Sequence, residues 1–195
     1  SQKVRKQQNH GIAPPVIGGA DEEFLAKDVD LSISFIESSV VWEDGSLTFL
    51  VLAYSQHIEA LLSALADDPM SSSALLLSLD KLKRLTCLNM TRFVEGESCS
   101  NSWILVMNEL EKVMNLKEAT IRQSSMDSFG LIVDLFVKSV PPNRMKGSQS
   151  ISGNSSADSL QMRVIQPMCN ISQSVHWIDI NRCLLDCLNG YIHVF

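Results

Sequence analysis

The side chains with the most chemical potential in this sequence are Cys183 and Cys187, four residues apart, with His176 seven residues before the first of them. On a helix the three would share a face, and thiolate and imidazole both suit transition-metal ions. A structural zinc site asks for more: a close pair of cysteines on a knuckle and a second pair elsewhere. A single pair four apart in an apolar helix reads first as core, because a buried free thiol behaves as a small hydrophobe. No metal ligand is therefore expected. His57 and Glu59 are two apart, face different ways on a helix, and make no acid–base pair. The sequence contains no phosphate-binding glycine loop, no Gly-x-Ser-x-Gly elbow and no His-Glu-x-x-His motif. No catalytic residue, cofactor or small-molecule substrate is expected, and the chain reads as non-enzymatic.

The charged and aromatic residues suggest contact with other proteins. Lys81, Lys83, Arg84 and Arg92 make a modest basic strip. A nucleic-acid site would need more positive charge or interleaved aromatics, and the chain's formal net charge is −6. Nucleic acid is thus a poor partner, and the strip reads as a solvated helix face. Trp42, Trp103 and Trp177 are large anchors, and any one left exposed would be an interface hot spot. Trp42, beside a turn, is the best candidate. Trp42, Lys81, Arg84 and Arg92 form the candidate interface set. Ser148, in a Ser-Gln dipeptide of the kind DNA-damage kinases favour, is the candidate phosphorylation site; the dipeptide recurs at Ser55 and Ser172.

Helices must position these groups. The chain has 195 residues, 45% hydrophobic and 19% charged, enough apolar material for a sizeable core and too much for a disordered chain. Leu47, Leu50, Tyr54, Ile58, Leu61 and Leu65 recur at spacings of three and four, which predicts a helix after a Glu43–Ser46 turn and cap. Leu75, Leu79, Leu82 and Leu85 predict the next helix, closed at Gly96. Trp103, Met107, Leu110 and Met114 predict a shorter one, with Glu109, Glu111 and Lys112 outside. Met126, Phe129, Val133, Phe136 and Val140 predict another, widened by Leu131, Ile132 and Leu135 and so covered on two sides. A short element is expected to end before Pro167, and a last helix to begin near Ser172, with Trp177, Ile180, Leu184, Leu188 and Tyr191 on one face. Residues 29–35 alternate apolar and polar like a strand, yet nothing nearby offers a pairing strand, so helix is preferred. The segment from Leu47 to Ala66 is the most membrane-like, but it carries His57 and Glu59, and no span is expected. The five cysteines are odd in number and scattered, which reads as reduced thiols of an intracellular, cytoplasmic or nuclear protein.

Residues 1–20 read as a flexible tail, 21–140 as the helical region, 141–158 as a Ser- and Gly-rich loop and 159–195 as a C-terminal helical segment expected to continue in a longer parent chain. Residues 102–139 add a further signal. Ile121, Arg122, Ser124, Ser125, Met126, Phe129, Gly130 and Ile132 follow the order apolar-Arg-x-small-small-apolar, then apolar-Gly-x-apolar. That order resembles the second helix of HEAT and armadillo repeats. The resemblance covers about 40 residues, and the pair of helices over 47–94 lacks the motif. It implies an all-α solenoid fragment of stacked antiparallel hairpins, with a closed helical bundle as the alternative, and a protein-binding scaffold as the function. Two other functions stay open. One is a helical regulator of a small GTPase, with Arg122 or Arg92 as its arginine finger. The other is a nucleic-acid-associated scaffold in DNA repair or recombination.

Overall fold

The computed structural model describes residues 32–66, 70–141 and 156–192. The chain divides into two units, Ser1–Ser34 and Phe35–Phe195, and the packing below is that of the second. Among the described residues all regular structure is helical. Residues 32–38 are helical (α1), so the strand-like alternation does not make a strand there; 29–31 lie outside the described residues. A short 3-10 turn, Ser39–Val41, follows. Then come α2 (Asp44–Ala64), α3 (Met70–Leu88), α4 (Met90–Glu95), α5 (Ser100–Met114), α6 (Ala119–Ser139), α7 (Ser156–Ser174) and α8 (Ile178–Ile192).

The helices pair in chain order. Three antiparallel hairpins form, α2 with α3, α5 with α6 and α7 with α8. The hairpins then pack side by side: α2 on α5 and α3 on α6, then α5 on α7 and α6 on α8. Helix α6 touches α3, α4, α5 and α8. This is why Ile121, Met126, Phe129, Ile132, Val133, Phe136 and Val137 are all buried on it. Helix α2 has the length and apolar composition of a membrane span, but Leu47, Val51, Ser55 and Ile58 are buried against its neighbours.

Trp103 binds several helices at once. Its ring is 1% exposed, with centroids 4.6 Å from Phe136 on α6 and 6.2 Å from Phe93 on α4. Its indole Nε1–H donates to the carbonyl of Arg163 on α7 at 2.9 Å. That carbonyl explains a departure from expectation. Proline lacks an N–H, so Pro167 leaves the carbonyl four residues before it without its helical partner. Residue 163 is that position, and Trp103 replaces the missing donor. Helix α7 therefore runs through Pro167 to Ser174 where the sequence predicts a break. The stripe Val164, Met168, Ile171 and Val175 is buried along it and the turn after it.

Three other boundaries differ. Asp44, Gly45 and Ser46 belong to α2 rather than to a turn and cap, because the Asp44 carboxylate bonds Arg92 and Ser98 instead of its own helix. The predicted helix through residue 95 is interrupted at Asn89, whose Nδ2 donates to Leu85 O and across to Ser39 Oγ at 2.8 Å. Glu109 is not on the outer face of α5 but 1% exposed, accepting from Ser55 Oγ at 2.8 Å and Lys112 Nζ at 2.8 Å. At Gly96 an added Cβ would lie 2.7 Å from Arg92 O, so the turn closing α4 needs glycine.

Candidate binding groove between helices α6 and α8

Helices α6 and α8 cross an open groove of about 1260 Å³. Its floor follows from the inward stripes of both helices: Met126, Val133 and Val137 on α6, and Cys183, Cys187 and Tyr191 on α8. The helices come close at Gly130, where an added Cβ would meet only Cys187 Sγ at 3.9 Å. That is ordinary contact, so a methyl group fits there. The small residue that close packing does use is Ser125, fully buried and donating to Leu110 O at 2.9 Å across the α5–α6 hairpin.

One end of the groove is closed by Arg122. Its Nη1 donates to Leu116 O and Lys117 O, both at 3.1 Å, and so fixes the turn entering α6. Its Nε donates to Asp179 at 3.0 Å, and its guanidinium lies 4.3 Å from the centroid of the Trp177 ring. The last two contacts reach the start of α8. A guanidinium presents a planar fork and a stackable face, so one side chain serves the turn carbonyls, a carboxylate and an aromatic ring together.

The middle of the groove holds the two thiols. Both are half-buried and free. The Cys187 thiol hydrogen-bonds Cys183 and holds its pKa below the ordinary thiol value. The same bond pushes Cys187 upward, and burial, Asp186 and Asp134 add to it. Cys183 also approaches Met126 O at 3.8 Å. Carboxylates surround the pair from both helices: Asp127 and Asp186 act on Cys183, Asp186 and Asp134 on Cys187. His176 lines the groove too. It lies before α8 rather than on it, so it does not stack above the thiols as helical spacing suggests. Among the described residues no three His, Cys, Asp or Glu side chains are placed to hold a metal.

The candidate interface residues lie elsewhere, around the α1–α2 connection. Trp42 is half-buried, edge-on to Phe35 with centroids 4.6 Å apart. Arg84 pairs with Glu37 at 2.6 Å. Arg92 pairs with Asp44 at 2.6 Å and also donates to Ser39 O and Asn89 Oδ1. Lys81 is half-buried on α3. The two arginines thus hold the connection against α3 and α4, and neither Arg92 nor Arg122 projects an uncommitted guanidinium. Of the three tryptophans, Trp177 is the most exposed, at 37%. Ser148 lies outside the described residues.

Sequence reasoning singled out Cys183, Cys187 and His176 but read the cysteines as core, and named Trp177 only as one of three large anchors. It missed Asp127, Asp134 and Asp186, whose convergence depends on which helices pair. In comparisons with known proteins, no family model, no curated protein and no solved structure matches this chain.

Proposed function

We propose that this chain is a segment of a HEAT-like helical stack, an α-solenoid fragment whose function is to bind other proteins. Two observations support the architecture. The hairpins pack in chain order, and among the described residues the first and third both pack mainly on the second, as stacked repeats do and a closed bundle does not. Arg122 ties its own hairpin's turn to the start of the second helix of the next hairpin, a contact suited to repetition along a stack.

The observation that carries the function is the outer face of α8. Ile178, Leu185 and Ile192, each two turns apart, are 86%, 66% and 69% exposed and form one row. Leu188, half-buried, widens the row towards the core. Apolar residues aligned on one exposed helix face mark a surface that takes another helix. In a stack this is where the next helix packs, whether from the same polypeptide or from a partner.

The test replaces Ile178, Leu185 and Ile192 with serine together. Proteins captured from cells by the wild-type chain and by the variant are compared, with thermal unfolding as the control for folding. Loss of specific partners at unchanged unfolding temperature supports the reading. An identical set of partners overturns it.

A further inference from the structure

Protein docking on α8 leaves the two thiols in the α6–α8 groove unused. Their placement constrains what they can do. Residues four apart on a helix keep their Cβ atoms about 5–6 Å apart, whereas a disulfide requires about 3.5–4.5 Å. Closing Cys183 to Cys187 would therefore unwind α8, and the backbone keeps the pair as a dithiol. Both side chains nonetheless lie one turn apart on the same face of α8 and line the same groove. A single bridging atom with two bonds to sulfur, about 2.3 Å each for a first-row ion, spans such a gap with a small adjustment of side-chain rotamers.

The surroundings select the atom. Asp127, Asp134 and Asp186 place negative charge around the thiols from both helices, which favours a cation. The groove gives it access. No third His, Cys, Asp or Glu is grouped with the two thiols to hold an ion among the described residues, so an ion that demands four such ligands, as structural zinc does, is poorly served. A soft ion content with two thiolates is well served, and copper(I) is such an ion among those that thiolates favour.

We propose that Cys183 and Cys187 form a two-coordinate site for copper(I). Binding forms two Cu–S bonds, breaks two S–H bonds and releases two protons to solvent. Copper remains monovalent, and no electron moves. The reading differs from the sequence expectation of core thiols because the structure opens the pair to a groove ringed by carboxylates. It is independent of the docking role of α8, whose exposed row lies on the opposite side of that helix.

The test titrates the reduced, oxygen-free chain with copper(I) in competition with a chromophoric copper(I) chelator. Retention of one copper per chain is expected. Cys183→Ser and Cys187→Ser should each weaken it by about 100-fold or more, while Cys169→Ser leaves it unchanged. Wild-type affinity no better than that of the C183S/C187S double variant overturns the site. X-ray absorption of the wild-type copper complex gives a readout independent of variant folding. Two sulfur neighbours support the proposal, and any other coordination shell contradicts it.

Discussion

The two halves of this molecule are made of similar amphipathic helices and differ in how they are covered. In the α2–α6 half, α5 and α6 meet partners on two sides, and Trp103 joins α4, α5, α6 and α7 through ring contacts and one indole hydrogen bond. Among the described residues, the α7–α8 hairpin packs on one side. It meets α5 and α6 through Val164, Met168, Ile171, Ile180 and Leu184, and turns Ile178, Leu185 and Ile192 outward. Apolar composition is thus not what separates them. A helix with neighbours on both sides converts most of its apolar surface into stability, while a helix packed on one side keeps a larger part available for recognition.

The sharpest way to break this comparison is to remove its central anchor. Trp103→Ala should cost about 3–5 kcal/mol, read as a lower urea midpoint, and should loosen α7 as well, since Arg163 O then loses its donor. If the loss were confined to α5 and α6, the indole would not link the halves. Next in size is a matched pair of leucines. Leu79→Ala on α3 should cost about 3–5 kcal/mol and Leu184→Ala on α8 nearer about 2 kcal/mol, because the edge site collapses more easily around the lost methyls. Equal costs by denaturant titration would mean the edge is packed as firmly as the centre.

Arg122→Ala should destabilise by about 2 kcal/mol, with the effect read at the α7–α8 hairpin by hydrogen exchange. The guanidinium serves two turn carbonyls, Asp179 and the Trp177 face, and Arg122→Lys cannot rebuild that fork. Asp44 gives a smaller effect, by acid. Its pKa is lowered first by the Ser98 hydroxyl and then by Arg92. A depressed folded pKa contributes stability that is present above the unfolded carboxylate value of about 3.9 and lost as pH falls through the folded value. Because the side chain is 43% exposed, the effect is modest. Thermal unfolding of Asp44→Asn and wild type should therefore converge as pH drops below that value, and a constant difference would contradict the assignment.

Much of the fold was legible because the signal was local. Leu75, Leu79, Leu82 and Leu85 mark the inner face of α3, and all four are buried. What was not legible depended on partners far along the chain. Pro167 reads as a break until Trp103 supplies the donor. Glu109 reads as surface until Ser55 arrives from α2. Asn89 reads as mid-helix until Ser39 meets it. The groove divides the same way. The four-residue spacing of its cysteines is visible in the sequence, whereas the three carboxylates converge only once α6 has paired with α8.

Site-resolved native hydrogen exchange measures the difference between centre and edge most directly. The proposed stack of hairpins, with α7–α8 packed on one side among the described residues, predicts that α7 and α8 exchange through their own partial opening, at a lower free energy than α5 and α6. A single opening free energy shared by all the helices from α2 to α8 would contradict it and would favour a closed, fully cooperative bundle.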